Sequence, residues 1–144
     1  MLGSLYNTDI LALSAGLENT RLETPDASVR KLAKLCGSWV ELDIIMNGAV
    51  VADFALRVQA CALGQASAAI LQEGIIGTGL NDLTDARDAL RDMLKAGGAP
   101  PPGRFSKLAL LAGVASYPAR HGSTLLAFEA AVEAVQHALK SCEA

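Results

Sequence analysis

The sequence predicts an α+β fold, a small antiparallel sheet of about three strands covered by helices. Three observations lead there. Alternating residues run on both sides of Asn47-Gly48, a pair suited to a tight hairpin turn because both residues tolerate positive φ. Leu125, Phe128, Val132, Val135 and Leu139 recur at intervals of three and four, the stripe of a core-facing helix. The elements are also segregated: a helix, then strands, then several helices.

In chain order, Tyr6, Ile10, Leu13 and Leu17 fall on one side of a first helix, which the polar passage from Glu18 to Pro25 ends. The stretch Asp26 to Leu35 reads two ways. Ala27, Val29, Lys31 and Ala33 suit an edge strand whose basic residues guard against edge pairing, and a helix is the alternative. In the hairpin, Val40, Leu42, Ile44 and Met46 alternate with Glu41, Asp43 and Ile45. On the return, Val50, Ala52, Phe54, Leu56 and Val58 alternate with Val51, Asp53, Ala55 and Arg57. Period two gives each set one face, so one side of the hairpin needs helices over it. Leu63 to Gly74, rich in alanine, is expected as a buried helix with Ile70 and Leu71 inward. Gly74, Gly77 and Gly79 then mark a turn; without a Gly-Lys-Ser/Thr ending they are no phosphate loop. Thr84 is the expected cap of the next helix, with Ala86, Leu90, Met93 and Leu94 inward and Gly97-Gly98 as its stop. Ala99 to Gly103 forms a stiff proline-rich linker. Phe105, Leu108 and Leu111 suggest a short helix ending near Gly113, Tyr117-Pro118 a turn, and Ser123 the opening of the last helix.

A length of 144 residues is expected to form a single domain, 1–144, with a core of Leu, Ala, Val and Ile, since 51% of residues are hydrophobic and 4% aromatic. No apolar run approaches the roughly 20 residues of a membrane span, and the start lacks the features of a secretory signal. A formal net charge of −3 without a basic run argues against nucleic acid as the main partner. Three cysteines, an odd number, point to free or metal-bound thiols in a reducing, cytoplasmic setting rather than a disulfide framework. There is no Gly-x-Ser-x-Gly elbow, no His-Glu-x-x-His and no paired-carboxylate arrangement, so no enzyme activity is expected.

The residues with chemistry lie around the hairpin. Cys36 precedes its first strand and Cys61 follows its second, so folding back brings both ends to one sheet edge. Ala119-Arg120-His121-Gly122-Ser123 stands at the start of the last helix, where unpaired N–H groups favour an anion or thiolate.

At these residues the chain resembles the NifU/IscU iron–sulfur cluster assembly scaffolds, the SufU-like branch in particular, from Leu5 to the last helix. The family sets Cys-Gly-Asp before a hairpin, where this chain has Cys36-Gly37-Ser38. A second family cysteine opens a small-residue helix, here Cys61 in Ala60-Cys61-Ala62-Leu63-Gly64-Gln65-Ala66-Ser67-Ala68. A Pro-x-Arg/Lys segment leads to a third, here Pro118-Ala119-Arg120-His121-Gly122-Ser123. Ser38 replaces the family's aspartate and, by gapless matching from Pro118, Ser123 replaces its third cysteine. Cys36 and Cys61 carry over by position and type.

The resemblance implies a SufE/NifU/IscU-like fold and a scaffold or carrier that binds iron, zinc, a nascent cluster or persulfide sulfur. It implies a cysteine desulfurase and cluster-accepting proteins as partners. Cys36 and Cys61 are the expected cofactor-binding residues, and His121, two residues from the missing cysteine, is a candidate third metal ligand with a fourth position open. The alternatives are a metal-free module of the same fold that docks a desulfurase or other assembly factor, and a sulfur acceptor without metal. Arg120 is a candidate to hold an anionic partner. Trp39 is expected to shield the sheet edge, His137 to be solvated, and Cys142 to be an exposed thiol without a role.

Overall fold

The structure, a computed structural model, describes residues 7–34 and 37–143, with side chains to residue 140. Helix α1 (Thr8–Ala15) opens where the Asn7 side chain accepts a hydrogen bond from the Ile10 N–H at 3.0 Å. Three strands follow, β1 (Ala27–Ala33), β2 (Ser38–Asn47) and β3 (Val50–Gln59), then α2 (Ala62–Gly74) and α3 (Leu80–Ala96). Successive 3₁₀ turns occupy Gly103–Ser116 and Pro118–Arg120, and α4 (His121–Glu143) completes the described chain.

The sheet is antiparallel in the order β1-β2-β3, which bears out the expected α+β class. Of the two readings of Asp26 to Leu35, the strand is the one adopted: Val29 and Ala33 face the core and Arg30 and Leu32 face out. Asn47 pairs with Val50, so Gly48 (φ 63°) and Ala49 make the hairpin turn.

The single alternating set expected for β3 is corrected. Ile45 pairs with Asp53 but Met46 with Val51, leaving Ala52 as the extra residue of a β-bulge. The bulge shifts the phase by one residue. Val51 is therefore buried (1% exposed), Val50 is exposed (40%), and Leu56 is buried beyond the shift.

Helices cover the inner face. α4 runs beneath β1 and β2 and also packs against α2 and α3, while α1 lies on α2. Phe128 of α4 meets Phe105 edge-on, with ring centroids 5.3 Å apart at 87°. The turn expected at Gly74 to Gly79 is present, with Gly77 at φ 87°. Three boundaries depart from expectation. α3 starts at Leu80, not after Thr84: the Asp82 carboxylate reaches back 2.9 Å to the Gly79 N–H, so Thr84 sits inside the helix. The stretch after the prolines is a run of 3₁₀ turns that continues past Gly113 to Ser116. Phe105, Leu108, Leu111 and Val114 are buried at a strict spacing of three, the period of a 3₁₀ helix. α4 opens at His121, so Ser123 lies in its first turn and is not its cap.

The outer face is not simply solvated. The segment between α1 and β1 lies over it, with the Thr20 N–H donating to the Leu56 carbonyl (2.9 Å) and the Val58 N–H to Asn19 Oδ1 (2.8 Å). Beneath that strap Arg57 grips the buried Asp43 with two bonds, Nη1 to Oδ2 at 2.8 Å and Nη2 to Oδ1 at 3.0 Å. Ser28 Oγ (2.8 Å) and the Leu22 N–H (3.1 Å) also donate to Asp43. Arg57 above all, then the Leu22 and Ser28 donors, outweigh burial and hold the Asp43 carboxyl down at about 2.

Because the folded value lies below the unfolded one, the stabilisation is complete above about pH 4 and lost as pH falls through about 2; the shift corresponds to about 2 kcal/mol. In urea melts at neutral pH, Asp43→Asn is expected to cost about 3 kcal/mol, since it removes the buried charge that Arg57 grips with two bonds. The gap to wild type is expected to narrow from pH 4 to pH 2. A gap independent of pH would contradict this assignment.

Candidate functional site

Cys61 stands at the junction of β3 and α2 as the N-cap residue of that helix, half-buried and with extended backbone (φ −66°, ψ 171°). Since Trp39 pairs with Gln59, the start of β2, including the buried Ser38, lies at the same end of the sheet. The first turn of α4 arrives there too. A Cβ built on Gly122 would sit 4.0 Å from Ala33 Cβ, and Ser67 Oγ donates to the Thr124 carbonyl at 2.6 Å.

The contact at the centre is between Cys61 Sγ and Ser123 Oγ, 3.5 Å apart, with Ser123 2% exposed. Gly64 permits it. A Cβ at that position would lie 2.6 Å from Ser123 Oγ, 2.8 Å from Ala60 Cβ and 3.1 Å from the Ser123 carbonyl oxygen. One turn into α2, the missing side chain is the room that the hydroxyl occupies.

The other expected site residues divide as follows. Cys36 lies outside the described residues, and with it the distance between the two thiols; the Cys142 side chain is likewise outside. His121 is buried, and its Nε2 lies 3.1 Å from the Val114 carbonyl and 3.2 Å from that of Ala115. Carbonyls only accept, so Nε2 carries a proton, and in the neutral ring Nδ1 bears the lone pair. Trp39 is half-exposed on the outer face with the Arg30 guanidinium 4.7 Å over its ring, and His137 is exposed. Arg120 is half-exposed, and its carbonyl accepts from Thr124 Oγ1 at 2.8 Å.

Among the described residues no three His, Cys, Asp or Glu side chains come together as metal ligands. The described donors alone, a thiol beside a hydroxyl, do not make the closed four-ligand site of a structural zinc. The Asp43–Arg57 pair carries no local sequence signal. Gly64 left one trace, a glycine inside an otherwise alanine-rich helix three residues after a cysteine.

An antiparallel sheet backed by helices, with a cysteine at a strand-to-helix junction and a second helix start beside it, defines a thiol-bearing α+β class. Known proteins narrow the class. The chain is 40% identical to the N-terminal part of a nitrogen-fixing NifU-like protein from Brucella abortus, covering 96% of this chain and 97% of that one with a TM-score of 0.93. It is 25% identical over 121 residues to the iron–sulfur cluster assembly scaffold protein IscU of Streptococcus pyogenes serotype M1, spanning 84% of this chain and 70% of that protein. The fold is shared with a scaffold protein described for the SUF system of Fervidobacterium islandicum, at a TM-score of 0.82 and 22% identity, over 91% of this chain and 96% of that one. No protein-family model matches. The chain belongs to the NifU/IscU family, of which the Streptococcus pyogenes relative is named an iron–sulfur cluster assembly scaffold protein.

Gly64→Ala is expected to lower stability by about 1–3 kcal/mol in urea melts even though alanine is the better helix former, because Ala60 and the Ser123 carbonyl cannot both move away. An unchanged or raised midpoint would show that α2 and α4 are not held this close.

Proposed function

We propose that this chain works in iron–sulfur cluster assembly as a scaffold or carrier that takes its cargo through Cys61 and Cys36. The cargo is iron, zinc, a nascent cluster or persulfide sulfur. The observation that carries the reading is the Cys61 sulfur beside Ser123, at the helix start where the family sets its third cysteine. A hydroxyl is a harder and weaker donor to these metals than a thiolate, so the serine leaves fewer soft ligands and an easier release. His121 is the candidate third ligand, through Nδ1. A cysteine desulfurase as sulfur source and cluster-accepting proteins as recipients are the partners this reading implies. The serine at position 123 also favours a second reading, a metal-free module that docks a desulfurase.

Anaerobic reconstitution with iron and sulfide separates the two. Wild type is expected to gain protein-bound iron with visible charge-transfer absorption, and Cys36→Ala and Cys61→Ala each to lose most of it. Wild type that gains neither metal nor colour, yet still co-purifies with a desulfurase, would replace the scaffold reading with the second.

A further inference from the structure

The two edges of the sheet are treated differently. β3 is closed along its free side: Leu56 accepts from the Thr20 N–H (2.9 Å), Val58 donates to Asn19 Oδ1 (2.8 Å), Val51 donates to the Thr78 carbonyl (2.8 Å) and accepts from the Gly77 N–H (2.8 Å). Among the described residues β1 has no such cover: the backbone of Ala27–Ala33 bonds only to β2 and to the turn joining them. An edge strand exposes alternate N–H and C=O groups along its free side, a template for one more strand.

The side chains say which strand. Residues 27–34 carry Arg30, Lys31 and Lys34 and no carboxylate. Lys31 is engaged by Glu133 of α4 at 3.3 Å. Arg30 shares Glu41 (3.2 Å) with Arg21 and Arg57, so this single carboxylate answers three guanidinium groups. Lys34 is exposed. Beside these cations Leu32 is 55% exposed and pairs with Trp39 in the sheet. A second copy of β1 would set Arg30, Lys31 and Lys34 against the same cations, which disfavours self-pairing. The same charges attract an acidic strand.

We infer that the open edge of β1 is a docking site for an extended acidic segment of a partner protein, which adds as a fourth strand. Backbone bonds to β1 supply affinity. Carboxylates toward Arg30 and Lys34, with an apolar residue beside Leu32, supply selectivity. The edge ends at Ala33, next to the first turn of α4, so a docked strand leads toward Cys61. Only that last connection rests on the cargo reading; the edge site stands without it.

The test is fluorescence anisotropy with a labelled eight-residue peptide alternating Glu with Val and Thr, its Lys-for-Glu counterpart, and the full chain. The acidic peptide is expected to bind, the lysine peptide at least tenfold more weakly. The double variant Arg30→Gln, Lys34→Glu is expected to lose at least tenfold with its melting temperature little changed. Hydrogen exchange of residues 27–34 is expected to slow when the acidic peptide saturates. Four results would overturn the inference: no binding at millimolar peptide, equal binding of both peptides or by the double variant, unchanged exchange in β1 at saturation, or protein dimers that protect β1 without peptide.

Discussion

The site depends on one close approach. The first turn of α4 reaches the start of α2 because position 64 has no side chain, and the Ser123 hydroxyl fills that room beside the Cys61 sulfur. Glycine inside a helix costs roughly 1 kcal/mol relative to alanine. Here that cost is offset by packing between two long helices, with Ser67 bonded to the Thr124 carbonyl on the same seam. Because α4 also underlies β1 and β2, fixing its first turn fixes where the ends of the strands meet the helices.

The opposite face of the sheet is organised by charge. Asp43 and Glu41 on β2 gather the surrounding guanidinium groups, and Arg57 links both carboxylates to the strap through the Thr20 carbonyl at 2.7 Å. Hydrogen bonding by Arg30 foremost, with Arg57, also lowers the Glu41 carboxyl, against the smaller opposing effect of burial. The strap thus closes the β3 edge and covers a buried ion pair, while among the described residues β1 keeps an unpaired edge with Arg30 and Lys34 exposed.

Much of this was legible in the residues. Period two across Val40 to Val58 and the Asn47-Gly48 signal yield the hairpin, and the stripe from Leu125 to Leu139 yields α4. The bulge at Ala52 was not legible, because an extra residue in one strand changes pairing but not composition. Phe105, Leu108 and Leu111 suit a short helix that stops at Gly113; only the strict three-residue step, extended to Val114, distinguishes 3₁₀ turns. The strap from Glu18 to Pro25 has no periodicity, and its bonds are to distant strands. At the site, Cys61 was legible from its place after the hairpin. α4 opens two residues before the Ser123 expected from its pattern, and the contact of Ser123 with Cys61 depends on a glycine in another helix.

The central claim is that Cys61, beside Ser123, and Cys36 present their sulfurs to one cargo. X-ray absorption at the zinc edge, on protein loaded with zinc alone, tests it most directly. Two sulfur neighbours at about 2.3 Å, with nitrogen or oxygen completing the shell, is the predicted result. A shell of nitrogen and oxygen only, or one sulfur that persists in Cys61→Ala, would contradict it.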